Sequence, residues 1–300
     1  MTDITNPPGL RADHRALALS AMAALFWGSN FEATRIALDS LPPWSAAAGR
    51  FVIAALATLI WMALLEGPGL RALRRNWLAF AGLGLIGVTG FNAALFLGMK
   101  TSSPVTGALI MATTPLSTNL IEALLSRRLP SARMVSGMGV GLVGVALTVG
   151  AFSGTRFGAG DILIFAGSLC WAFYTVGCRR WVREASALET SAWTMLFGAV
   201  VLVLAACLLE APLSAFALAS PAGWGATLWM ALAGSTLAFA FWQVGIRVRG
   251  PGATSVLFNL VPVAALLIAT GLGRMPQPSQ LLGVAIAISG VIWASRGVRR

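Results

Sequence analysis

Histidine is almost absent: the chain has 300 residues and one histidine, His14, in its polar first stretch. Acidic residues number ten, tyrosine occurs once, and charged residues make up only 10% of the chain. Each scarcity excludes something. A lone histidine near the N-terminus leaves no His-based metal site and no histidine-assisted nucleophile in the apolar body of the chain. HExxH, paired aspartates and a nucleophile elbow are also missing, so an enzyme is not expected. A soluble domain carries about 25% charged residues, so a chain this poor in charge has no surface to show water. The three cysteines, Cys170, Cys178 and Cys207, lie in apolar stretches and read as small packing residues, not as a disulfide framework.

What is present is apolar. Hydrophobic residues make up 57% of the chain and the mean hydropathy is +0.81. Apolar stretches of roughly 20 residues, long enough to cross a bilayer as helices, recur with short breaks. They are predicted at 16–38, 45–65, 77–98, 102–124, 134–152, 160–182, 188–210, 222–245, 252–272 and 279–296. The breaks hold turn formers, as in "DSLPPW", "EGPGL" and "PQPS". The sequence therefore predicts an all-α membrane protein with ten transmembrane helices. The first span is too long for a signal peptide and more spans follow it. The lipid bilayer is the expected surrounding. No cofactor, metal or obligatory protein partner is expected.

The net charge of +11 would suit nucleic acid if it were gathered on a surface. Instead it sits in short loops, where it sets orientation. One side of the ten-helix pattern collects Arg11 and Arg15, the loops at Arg71–Arg75, Arg127–Arg133, Arg179–Arg183 and Arg247–Arg249, and Arg296, Arg299 and Arg300. That is sixteen basic residues, against Lys100, Arg156 and Arg274 on the other side. Arg35 and Arg50 fall within or at the edge of spans. Basic residues stay cytoplasmic, so both termini are expected inside, in a bacterial-type inner membrane, and no nucleic acid is expected as partner.

The chain is also written twice. At an offset of 144, "FWGSNFEATR" (26–35) falls on "CWAFYTVGCR" (170–179), Trp27 on Trp171 and Glu66 on Glu210. At 147, Trp77 meets Trp224, Pro104 meets Pro251 and Pro115 meets Pro262; at 146, Gly137 meets Gly283 and Gly144 meets Gly290. Kept order over nearly the whole chain marks an internal repeat. The repeats are 16–152 and 160–296, with tails at 1–15 and 297–300. Five helices is an odd number, so the halves enter the membrane from opposite sides. Such a 5+5 inverted repeat is common in secondary transporters and supports alternating access.

The pattern "ALFWGSNFEATRIAL" in helix 1, "GDILIFAGSLCWAFYTVGCRRW" in helix 6, and a mid-helix proline in helices 4 and 9 resemble the drug/metabolite transporter superfamily. The likeness is to ten-helix carriers with two EamA-type domains, and within them to the bacterial aromatic amino acid exporters. That resemblance implies a carrier that exports amino acids, broadly and with preference for aromatic and apolar ones. An exporter of another metabolite or of a cationic drug, proton-coupled through Glu32, is the alternative. One departure stands out. The family often has an acidic residue after helices 4 and 9, and here Arg127 and Arg274 stand there.

Inverted-repeat carriers bind near the midplane between the halves. Trp27 and Trp171 fall near the centres of helices 1 and 6, although tryptophan normally favours the interface. They are either core packing or the wall of a cavity for an apolar side chain. Asn30, Phe31 and Thr34 share helix 1 with Trp27, and Tyr174 follows Trp171. Pro115 and Pro262 each remove a helical N–H and clash with the carbonyl four residues back, at Met111 and Phe258, which makes hinges of them. Thr114 and Thr118 near the first, and Ser255 and Asn259 near the second, either mend the broken ladder or bind substrate. Asn92, Trp242 and Gln243 complete the candidate substrate-binding set.

Glu32 and Arg35 are three residues apart in an apolar span and can pair. Arg35 lies roughly 12 Å beyond Trp27 at 1.5 Å per residue and can snorkel outward. Pairing favours the ionised carboxylate, so Glu32 is expected to be mainly structural; a proton site or amino-group ligand is the alternative. The orientation is testable by impermeant thiol labelling of intact cells. A single cysteine at Ser214 should label from outside and one at Ser131 should not; labelling at Ser131 would contradict the ten-helix arrangement.

Overall fold

The computed structural model describes residues 10–127, 131–148, 158–275 and 277–295, and among these every regular element is a helix. The first half holds α1 (Leu10–Leu38), α2 (Pro43–Leu65), α3 (Leu70–Gly98), α4 in two pieces (Pro104–Met111 and Thr114–Leu125) and α5 (Ala132–Thr148). The second holds α6 (Ala159–Trp181), α7 (Ala187–Leu209), α8 (Pro221–Arg249), α9 (Pro251–Gly271) and α10 (Pro278–Ser295). A short helix, Pro212–Leu218, joins α7 to α8. Six of these, α2, α3, α6, α7, α8 and α9, are long and apolar enough to cross a membrane.

Proline fixes many starts. Pro43, Pro104, Pro212, Pro221, Pro251 and Pro278 each open a helix, where a missing N–H costs nothing and φ is already helical. At α7 the start is a capping box: the Ser186 hydroxyl accepts from the Glu189 N–H at 2.9 Å and the Glu189 carboxylate accepts from the Ser186 N–H at 2.7 Å.

Three helices run beyond their expected ends. α1 begins at Leu10, α3 at Leu70 and α8 ends at Arg249. Hydropathy marks only the apolar part of a helix, and these extensions are polar. In α3 the extension is anchored by Asn76, whose side chain accepts from the Arg183 N–H and donates to the Arg183 carbonyl, both at 2.8 Å. The expected end of the fifth span at 149–152, the start of the N-terminal tail and the C-terminal tail lie outside the described residues.

The packing pairs equivalent elements. Each helix of the first half has its sequence counterpart five places on. α2 packs on α7 and α5 on α10, each on its own counterpart. α1 packs on α8 and α9, while α6 packs on α3 and α4. The α5–α10 pair is close because glycine faces backbone: a Cβ at Gly144 would stand 2.6 Å from the Gly283 carbonyl oxygen, and one at Gly290 would stand 2.7 Å from the Gly137 carbonyl oxygen. Small residues let helix backbones approach in this way where no water drives them together.

Four helices are irregular, and at matching places. α3 carries a π-helical stretch at Gly84–Gly90 and α8 one at Leu232–Leu237. α4 is interrupted between Met111 and Thr114, and α9 narrows to a 3-10 turn at Val256–Asn259. The last two irregular turns directly precede Pro115 and Pro262, as loss of the proline N–H requires. α3, α4 and α9 border one cavity, and α8 stands behind it, its Gly234 carbonyl accepting from the wall residues Trp27 and Arg50.

Candidate functional site

That cavity lies where α1 and α6 cross the irregular helices. It is lined by Trp27, Asn30, Phe31, Arg50, Phe91, Leu95, Met111, Trp171, Phe258 and Val261, and its free volume is about 20 Å³. That is room for about one water, so a solute enters only as the walls part. Its wall is aromatic. Trp27 meets Trp171 edge to face at 5.1 Å between ring centroids and stacks on Phe258 at 5.2 Å with an interplanar angle of 18°. Phe91 touches Trp171 at 5.4 Å. Behind them Trp242 lies 5.0 Å from Trp27, Phe239 lies 5.0 Å from Trp171, and Tyr174 lies 5.0 Å from Trp171. Such edge-on and offset contacts are favourable ring geometries, and together they make a stiff apolar wall.

One charge stands in this wall. Arg50, on α2, is 1% exposed. Its Nε donates to the Ser235 hydroxyl at 2.9 Å, Nη1 to the Asn92 side-chain oxygen at 3.1 Å and Nη2 to the Gly234 carbonyl at 3.3 Å. Asn92 is itself steadied by donating to the Val88 carbonyl at 2.8 Å. The Gly234 carbonyl also accepts from the Trp27 indole N–H at 2.8 Å. Gly234 sits in the π-helical stretch of α8, where the backbone ladder is loosened. A Cβ there would stand 2.1 Å from the Asn30 side chain, so a larger residue would make Asn30 shift.

The candidates from the sequence fall into three groups. Trp27, Asn30, Phe31 and Trp171 line the cavity. Asn92, Tyr174, Trp242 and Gln243 stand one layer behind: Asn92 holds Arg50, and Gln243 donates to the Tyr174 hydroxyl at 2.9 Å. The rest face their own helices or neighbours. Thr34 meets the Met230 sulfur at 3.3 Å, Thr118 donates to the Thr114 carbonyl at 2.8 Å, Ser255 to the Gly252 carbonyl at 2.8 Å, and Asn259 to the Val256 carbonyl at 2.8 Å. Thr114 is buried with its hydroxyl unpartnered. Thr118, Ser255 and Asn259 thus bond carbonyls of their own helices, none of them the Met111 or Phe258 carbonyl that the prolines free. The sequence had singled out Met111 and Phe258 only for their carbonyls, and their side chains line the wall. Arg50 entered only in the charge count. Its signal was an arginine inside an apolar run, with Thr194 and not a basic residue at the equivalent place.

Glu32 lies outside the cavity wall. Its Oε1 accepts from Arg35 Nε at 2.7 Å and from Arg274 Nη2 at 2.5 Å, and Arg35 continues to Asp39 at 3.3 Å. The carboxylate is 9% exposed while both arginines exceed 40%. The sequence supplied Arg35 as the one partner; the second comes from the connection between α9 and α10, so one carboxylate ties α1 of the first half to the second. Among the described residues no group of three or more His, Cys, Asp or Glu is placed to hold a metal ion.

Comparison with known proteins adds the following. The profile of the EamA-like transporter family matches twice, at 14–150 and 158–296. The transporter YyaM of Bacillus subtilis is 36% identical, over 92% of each chain. The inner membrane transporter YedA of Escherichia coli K12 is 33% identical, over 92% of this chain and 90% of its own. The probable terminal-alkyne amino-acid exporter of Streptantibioticus cattleyicolor is 25% identical, over 94% of each. A crystal structure of another protein, 23% identical, superposes with a TM-score of 0.72 over 95% of this chain and 99% of its own, which shows a shared fold.

The two-arginine clasp on Glu32 makes a stability prediction. Arg35→Ala alone leaves Arg274 in place and should cost under about 1 kcal/mol, as for other exposed pairs. Arg35→Ala with Arg274→Ala strands a buried carboxylate and should cost roughly 3–5 kcal/mol, and adding Glu32→Gln should recover most of it. Thermal unfolding in detergent of the wild type, Arg35→Ala, Arg274→Ala, the double and the triple variant measures this; a double variant no worse than the sum of the singles would show that the carboxylate is not shared.

Proposed function

The chain belongs to the EamA-like transporter family, within the drug/metabolite transporter superfamily, and on that premise we propose that it exports amino acids, aromatic and apolar ones above all, by alternating access around the aromatic cavity. The observation that carries this reading is the cavity itself. Its wall draws Trp27 from one half and Trp171 from the other, at equivalent positions. A site shared by two like halves is reachable from either side when the halves exchange roles. Stacked indole and phenyl rings favour a flat apolar side chain, and a relative bearing the name of an amino-acid exporter supports that substrate class.

The arrangement we propose is ten crossings as a 5+5 inverted repeat with both termini inside, in the inner membrane of a bacterium. The swapped packing supports it: α1 on α8 and α9 is answered by α6 on α3 and α4. So do the paired π-helical stretches, since Gly84–Gly90 moved by the repeat offset of 147 falls on 231–237. Pro115 and Pro262, at matching interruptions of α4 and α9, are the hinges in this scheme. The irregular turns before them are already bent, so motion there breaks few backbone bonds.

A cationic drug would need a carboxylate in the cavity, and among the described residues its lining holds none. Glu32 is spent on two arginines. Proton coupling through a midplane acid is therefore not part of the scheme, and the substrate gradient drives transport.

Purified protein in liposomes preloaded with L-phenylalanine should exchange it for labelled L-phenylalanine, well above protein-free liposomes. An imposed pH gradient alone should drive no accumulation, and Glu32→Gln should retain at least about half the exchange rate, losing less than roughly 0.5 kcal/mol of transition-state stabilisation. Absence of exchange for phenylalanine, tryptophan and leucine alike would refute the substrate class. Accumulation driven by the pH gradient and abolished by Glu32→Gln would make Glu32 the coupling site.

A further inference from the structure

We propose that Arg50 binds the carboxylate of the transported molecule, so that the carrier takes organic acids and zwitterions with an apolar group and refuses the matching amines and amides. This rests on the cavity being the transport site, and deepens that reading by naming the group that the site recognises.

A guanidinium deep in an apolar protein interior is costly unless an anion compensates it. Arg50 is almost wholly buried, and among the described residues none of the ion pairs includes it. Its three partners are a hydroxyl, a carboxamide oxygen and a backbone carbonyl, all neutral. Guanidinium has five N–H donors, so these three bonds leave one hydrogen on each terminal nitrogen. A carboxylate is the group that takes two such hydrogens at once.

The neighbours fit the same guest. The Trp171 indole N–H is buried and unpartnered, and it lines the cavity with Arg50. The Asn30 side-chain oxygen is buried and unpartnered in the same wall. The wall therefore offers donors with spare capacity at Arg50 and Trp171 and a spare acceptor at Asn30. Donors suit a carboxylate and an acceptor suits an ammonium, as in an amino acid.

A purely structural role explains less. Arg50 does stitch α2 to α3 and α8, but neutral acceptors need no full positive charge to be stitched. Nor does the repeat require it: Thr194, its equivalent in the second half, bonds the Tyr174 hydroxyl at 3.1 Å. The charge is thus on one side of the cavity only, which provides for one anionic group. The shell around Arg50 fixes its direction. Asn92 is held by α3, Gly234 and Ser235 come from the π-helical stretch of α8, and the Phe51 ring lies 5.0 Å from the guanidinium carbon.

The test is calorimetric binding to the purified protein of four probes alike in shape: L-phenylalanine, 3-phenylpropionate, L-phenylalaninamide and 2-phenylethylamine. The two carboxylates should bind and the other two should bind at least about 30-fold more weakly, the loss expected when a buried charge goes unpaired. Arg50→Lys should keep the order at lower affinity, and Arg50→Gln should level it. The proposal is overturned if the amide or amine binds wild type as tightly as L-phenylalanine, or if a folded Arg50→Gln protein keeps the preference. Should the aromatic acids fail while an aliphatic monoacid such as 4-methylpentanoate binds and needs Arg50, the carboxylate site stands and the aromatic amino acid reading falls. If no carboxylate of either kind binds, the site is refuted. Arg50→Lys and the wild-type probe series decide the matter even if Arg50→Gln does not fold.

Discussion

The Gly234 carbonyl is the joint on which the site depends. It accepts from the Trp27 indole at 2.8 Å and from Arg50 at 3.3 Å, so one backbone oxygen of α8 fixes a side chain from α1 and another from α2. Gly234 lies in the π-helical stretch, and its lack of a Cβ leaves room for Asn30 beside that oxygen. Trp27 in turn sets Trp171, Trp242 and Phe258 around itself. Aromatic wall and charged corner are thus positioned by one local departure from helical geometry, of the kind that π-turns often mark at functional sites.

The two halves are alike in scaffold and unlike in chemistry. Equivalent glycines make room for the residue that follows Trp27 and Trp171 by three: Gly87 for Tyr174 and Gly234 for Asn30. One scaffold therefore presents an amide on one side and a phenol on the other. In the second half the phenol is closed off by Thr194 and Gln243, and Cys178 accepts from Gln243 at 3.2 Å. In the first half Arg50 replaces the threonine and Asn30 is left with a free oxygen. The repeat supplies the common scaffold, and its divergence at these positions supplies the difference in chemistry.

Much of this was legible in the sequence, for physical reasons that also set the limits. The helices were readable because a bilayer demands long apolar stretches, which six of them show, and the repeat because glycine and proline keep their places wherever backbones touch or bend. Trp27 and Trp171 were readable because indole at mid-span is out of its usual place. Arg50 was not. It lies seven residues inside α2, where an arginine is easily taken to snorkel, and only the fold shows its side chain turned inward. The second partner of Glu32 was hidden because Arg274 is 242 residues away in sequence. The hydroxyls around Pro115 and Pro262 were ambiguous, since mending a ladder and binding a solute use the same residues; in the structure Thr118, Ser255 and Asn259 bond carbonyls of their own helices. The π-helical stretches left no mark in hydropathy.

The central claim is that the solute sits among Trp27, Trp171 and Phe258 with its acid group on Arg50. A structure determined with L-phenylalanine bound tests that most directly. The account predicts ligand density in the cavity, its ring against the indoles and its carboxylate within hydrogen-bonding distance of the Arg50 terminal nitrogens. Ligand density elsewhere, with this cavity unchanged, would contradict it.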